Sequence, residues 1–148
     1  MKIEDKTLEP LLIAGIRTRG KYSECDKLFS TLGRRVGRHI SGPGMNLYYD
    51  EEYREEDADF ESCFPIRKPI DVEGVDIREL PGGRCLSYLH HGPYETLCES
   101  YEKIFDHSQS IGMQIKYPIR EIYIKGPGMI FRGNPKKYIT EIQFLFKD

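Results

Sequence analysis

"LHHGPYETL", residues 89–97, reads as a strand running into a helix, and that joint decides how the chain is read. Gly92-Pro93 ends the strand, and proline fits the first helical position, where no amide hydrogen bond is lost. Adjacent strand side chains point to opposite faces, so His90 and His91 are poorly placed to share a metal ion. "RTRGKYSEC", residues 17–25, has the same outline of basic residues, glycine, one further residue and tyrosine. Gly20-Lys21-Tyr22 aligns on Gly92-Pro93-Tyr94, an offset of 92 − 20 = 72. Two copies of one unit would explain the repetition.

Working outward, "LLIAGIRTR" (11–19) is rich in branched apolar residues and predicts a strand. Tyr22, Cys25, Leu28, Phe29, Leu32 and Val36 then recur at helical spacing, with Ser23 and Asp26 placed to cap the start. "SGPG" (41–44) is a turn, and "MNLYYD" (45–50) and "DFESCFPI" (59–66) predict strands. The second half repeats the order. "RCLSYLHH" (84–91) predicts a strand, followed by a helix with a stripe of Tyr94, Leu97, Cys98, Tyr101, Ile104 and Phe105. Gly112 suits that helix's C-terminus, and "IREIYI" (119–124) and "YITEIQFLF" (138–146) predict the closing strands. Glu61 then falls on Glu141, and Phe64 on Phe144, at an offset of 141 − 61 = 80. The expected domain spans 1–148, with repeat one at about 11–66, a linker at 67–83 and repeat two at about 84–146.

Composition narrows the function. At 148 residues with 31% charged residues, the chain matches a globular domain, and no apolar run approaches the ~20 residues that span a bilayer. "MKIEDKTLEP" has no apolar signal core, so a cytoplasmic location is expected. Cys25, Cys63, Cys85 and Cys98 show no CxxC pairing and read as buried thiols, with no metal and no cofactor expected. "DEEYREEDAD" (50–59) reads as a solvated acidic loop, lacking the glycine and glutamate spacing of a calcium loop. There is no basic stripe, so direct DNA binding is not expected.

"LHHGPYETLCESYEKIF", "IREIYIKGP" and "YITEIQFLF", with "FESCFPI" closing the first half, together resemble the GyrI-like small-molecule-binding domain. This is the effector-binding module of AraC- and MerR-type multidrug-responsive regulators. The likeness runs from about Leu11 to Phe146, and 148 residues leave no room for a DNA-binding domain, so a stand-alone form is expected. The chain has no Trp, unlike many family members, and Phe105 and Tyr138 stand at those places. The resemblance implies an α+β fold of duplicated β-α-β-β units forming an antiparallel sheet, with both helices on one face and a ligand cleft on the other.

Strand alternation then places residues by face. Ile142, Phe144 and Phe146 should face the helix, leaving Glu141, Gln143 and Leu145 for the cleft. Glu61 and Cys63 take the matching places, and Glu121 and Tyr123 should lie beside Glu141, with Ile122 and Ile124 turned inward. Either Tyr48 or Tyr49 faces the cleft, and Met45, Met129 and Phe131 could add apolar wall. The family's pocket has an acidic residue on its last strand, at the place of Glu141. Aromatic rings with a carboxylate suit flat cationic molecules, so the leading expectation is binding of small, hydrophobic, often cationic ligands. The second is a hydrolase opening cyclopropane-bearing natural products through Glu141 and Tyr123. The third is a protein partner such as gyrase, or a separate regulator, met through the acidic loop.

Overall fold

The computed structural model describes residues 2–126 and 133–148. The fold is α+β, and every pairing within its units is antiparallel. The strands are β1 (Ile3–Leu8), β2 (Leu11–Gly20), β3 (Met45–Tyr48), β4 (Ala58–Pro65), β5 (Asp76–Leu80), β6 (Gly83–His91), β7 (Ile115–Lys125) and β8 (Ile139–Phe146). The helices are α1 (Cys25–Val36) and α2 (Leu97–Ser110).

The chain divides into two compact units. The N-terminal unit is Glu9–Gly82, and the C-terminal unit joins Met1–Leu8 to Gly83–Asp148. The first pairs β5, β2, β4 and β3 in that order, with α1 between β2 and β3. The second pairs β1, β6, β8 and β7, with α2 between β6 and β7. The two edge strands, β1 and β5, are additions to the expected β-α-β-β order. "IEDKTL" and "DIREL" carry too many charges to stand out as strands, yet such charges are typical of sheet edges. The stretch expected as a linker, 67–83, thus contains a whole strand and the first residue of β6. Each edge strand precedes one unit's first long strand in the chain and pairs in the other unit.

Both helices begin after a short 3-10 turn, Tyr22–Glu24 and Tyr94–Thr96, so Tyr22 and Tyr94 stand ahead of α1 and α2. Ser23 lies inside its turn and makes no capping bond. The buried residues of α2 are Ser100, Ile104 and Ser108, with Leu97 and Tyr101 half-buried on the same side, and Ile104 packs with Leu86, Tyr88, Ile142 and Phe144. Cys98 and Phe105 are exposed, because each follows an inward-facing position by one residue, about 100° around the helix. Gly112 (φ +68) closes α2: its N–H donates to Gln109 and that of Met113 to Ser108, the paired bonds of a Schellman ending. In the N-terminal unit Val36 packs with Ala14 and Ile66, and the Phe29 ring meets Phe64 edge-on at 5.4 Å.

Candidate functional site

The strand-helix joint is a hydrogen-bonded corner. His90 Nε2 lies 2.9 Å from the Pro93 carbonyl, to which it can only donate, and Nδ1 lies 2.7 Å from the Ser100 hydroxyl of α2, which donates to it when the ring is neutral. His91 is exposed on the other face.

Pairing between β7 and β8 assigns the faces in the C-terminal unit. Glu121 opposes Ile142 and Tyr123 opposes Thr140, whereas Ile122 opposes Glu141 and Arg120 opposes Gln143. Directly opposed residues share a face. Glu121 and Tyr123 therefore lie on the α2 side with Ile142 and Phe144, not beside Glu141 as expected. Phase explains the difference. Sending the isoleucines of "IREIYI" to the core is the sensible choice from sequence, but here two tyrosines satisfy the inward carboxylate instead. Tyr123 donates to Glu121 Oε1 at 2.7 Å, and Tyr101 of α2 donates to Oε2. Glu121 is only 6% exposed.

Around this carboxylate lie more rings. Tyr94 meets Tyr123 edge-on at 5.9 Å and Tyr138 at 5.2 Å. Thr140, fully buried opposite Tyr123, has a hydroxyl with no hydrogen-bond partner among the described residues. Tyr94, Tyr101 and Thr140 were not singled out from sequence; the tyrosines read as helix stripe and Thr140 as ordinary strand.

Glu141 sits on the opposite face, 9% exposed, with its Oε2 held by three donors from within the unit. Lys6 of β1 lies 2.8 Å away, and Ser87 and Gln143 donate at 2.7 and 2.8 Å. Burial pushes its pKa up, but these three donors outweigh burial and hold it below the ordinary carboxylate value. Lys6 is pushed down by burial and more strongly up by Glu141, ending raised. Next to it, burial lifts the Cys85 thiol to about 11.

The N-terminal unit repeats this arrangement. Glu61, 1% exposed, takes a fork from Arg78 of β5 at 2.6 and 2.7 Å and a bond from Tyr49 at 2.7 Å. Its carboxylate passes over Gly15, where an added Cβ would meet Oε2 at 2.2 Å. Arg78 opposes Ile13 as Lys6 opposes Cys85, and Gly15 stands at the place of Ser87, both at the offset of 72. Each unit thus carries a buried glutamate bound across a strand to a cation on the edge strand. Arg78 is held charged chiefly by its bond to Glu61, while burial and that same acid raise the Tyr49 phenol. Arg17 sits 3.7 Å over the Tyr49 ring and pairs with Asp59 at 2.7 Å.

Tyr49, then, shares the Glu61 face. Tyr48 lies on the α1 side, its ring 5.5 Å from Tyr22 and 6.4 Å from Phe60, because it opposes Phe60 across the pairing. Cys63 is fully buried against Gly15, with Met45 its partner across the pairing. Cys25 is half-buried and Cys98 exposed, contrary to the reading of all four thiols as buried. Phe131 and Met129 lie outside the described residues. Four of the seven acids in the acidic run are tied to cations: Asp57 and Glu52 to Arg54, Asp59 to Arg17 and Arg19, and Glu56 to Lys21.

No helix of the described residues is long and apolar enough to cross a membrane. No curated protein sequence matches the chain. Among solved structures it is similar to the EcmrR C-terminal domain, with TM-score 0.85 and 22% identity over 99% of this chain and 98% of that one. The whole EcmrR chain in a DNA complex gives TM-score 0.88, and this chain spans 57% of its length. A hydrolase from Listeria innocua (TM-score 0.69, 13% identity, 99% and 92% covered) and SAV2435 bound to tetraphenylphosphonium (0.66, 14%, 99% and 94%) share the fold. The profile of the GyrI-like small molecule binding domain matches residues 1–147, and the chain belongs to that family.

Proposed function

We propose that the chain binds small hydrophobic cations at the tyrosine-ringed Glu121, as an effector-binding or sequestering protein. The observation that carries this is the pair of phenol bonds from Tyr101 and Tyr123 to a carboxylate buried on the aromatic side of the sheet. Phenols are neutral donors, and these two hold the carboxylate in place among the rings. Rings at Tyr94, Tyr123 and Tyr138 offer faces to a flat or cationic guest, and the Thr140 hydroxyl offers a further polar contact. Glu141 is less suited, because Lys6 already pairs with its charge at 2.8 Å and Ser87 and Gln143 crowd the same oxygen. The tetraphenylphosphonium complex of SAV2435 supplies the probe.

Calorimetric titration with tetraphenylphosphonium tests the assignment. Glu121→Gln is expected to weaken binding about tenfold or more, on the scale of a charge-assisted contact of ~1.5–3 kcal/mol. Tyr123→Phe should weaken it less, and Glu141→Gln should leave it intact. If Glu141→Gln abolishes binding while Glu121→Gln does not, the site is on the wrong face.

The same cluster supports a second reading as a hydrolase of cyclopropane-bearing compounds. Glu121 would take a proton from water as its oxygen attacks a ring carbon, and a phenol would protonate the carbon released when the ring bond breaks. The expected Glu141–Tyr123 pair is replaced here, since those residues lie on opposite faces. Uptake of such a compound without any ring-opened product would remove this reading. An encounter with gyrase through the acidic loop has less support, because four of that loop's seven acids are already paired with cations of the chain.

A further inference from the structure

We propose that the N-terminal unit carries a second ligand site of opposite charge preference, an arginine-rimmed groove for an organic anion with an apolar body. An open cavity of about 640 Å³ lies at the C-terminal end of α1, between Gly33–His39 and the 70–72 segment. That volume lies within the range of small-molecule sites. Arg34, Arg35 and Arg38 line it against a single acid, Asp71. Ile70 and Val72, part of the cluster around Val36, supply the apolar side.

Two ordinary duties explain only some of the arginines. Cations in a helix's last turn complement its dipole, which accounts for Arg34 and Arg35. Arg35 also donates to the Glu73 carbonyl at 2.7 Å, docking the 70–75 segment on the helix. Arg38 lies beyond the helix, and its carbonyl accepts from Arg67 at 2.9 Å, which brings another guanidinium to the same end.

The glycines are the second observation. Gly33 lies within α1 and Gly37 has helical angles (φ −41, ψ −54), so neither supplies a conformation denied to other residues. An added Cβ at either would meet nothing within 4 Å, so close packing does not require them. Glycine costs a helix interior about 1 kcal/mol relative to alanine. Spaced four apart, they share one helix face, and what they keep is the open space of the groove. Guanidinium forks suit carboxylate, sulfonate or phosphate oxygens, and the apolar side suits a ring or chain behind them.

The test uses the full chain and 8-anilinonaphthalene-1-sulfonate, followed by its fluorescence. One saturable site is expected. The Arg34→Gln/Arg38→Gln double variant should weaken it about tenfold or more, as expected for lost charge-assisted bonds. Gly33→Leu fills the groove with a good helix former, so it should lower dye affinity while the thermal midpoint holds or rises. Glu121→Gln should change nothing, which separates this site from the proposed cation site. Absence of saturable binding, unchanged affinity in both groove variants, or loss in Glu121→Gln would overturn the proposal.

Discussion

At the scale of single residues, the pairing of a glutamate with an edge-strand cation makes the sharpest demands. Gly15 is the clearest case: its missing side chain is the space the Glu61 carboxylate crosses to reach Arg78. Gly15→Ala should cost about 1–3 kcal/mol through overpacking, read as a fall in the denaturation midpoint. Glu61→Ala should cost about 1–3 kcal/mol, because it removes the buried acid and leaves Arg78 with only Asp76 and the Tyr49 phenol as partners. If Gly15→Ala is as stable as the parent, the crossing is not constrained. Acid titrates the Glu141–Lys6 pair. Glu141 has a depressed folded pKa, so its contribution is complete above about 4.5, the ordinary value, and disappears as pH falls through the folded value. Lys6 is raised, so its contribution is complete below 10.5 and disappears as pH rises through the folded value. Glu141→Gln should therefore flatten the acid limb of a stability-against-pH curve and leave its middle lower. An unchanged acid limb would show that Glu141 does not titrate as described. Which residues face which way was only half legible in sequence. β8 alternates cleanly and puts Ile142 and Phe144 against α2 as expected, whereas β7 places a glutamate and a tyrosine inward because Tyr101, on another element, completes their hydrogen bonds.

Elements were the most legible scale. Six strands and both helices follow from apolar periodicity and from glycine–proline punctuation, with ends shifted by a few residues where 3-10 turns precede the helices. The two that escaped, β1 and β5, are edge strands whose charged residues serve the ladder's outer rim and, through Lys6 and Arg78, two buried acids. Alternation is weak where one side of a strand has no partner, so charge conceals it. Removing residues 1–8 should expose β6 and leave Glu141 without its cation. A loss of at least about 3 kcal/mol is expected, with faster amide exchange in β6 and β8 and little change in β2 and β4. Uniform loss of protection across both units would contradict the assignment of β1 to one of them.

For the whole molecule, the GyrI-like assignment was legible because several weak motifs recur in one order over nearly the full chain, and residues 1–147 match the family. The position of the proposed binding acid was not, because the two candidate glutamates lie one strand apart on opposite faces. Chain order has a consequence in time as well. β1 precedes its partner β6, which begins only at Gly83, so it must wait several seconds at ordinary rates of synthesis. Meanwhile Glu9–Gly82 can close into a finished half with its own rim. The charged run Glu4, Asp5 and Lys6 keeps that waiting ribbon soluble and discourages a neighbouring nascent chain from zipping onto it. A peptide of residues 1–8 added to a chain translated without them would then dock late, as the final piece.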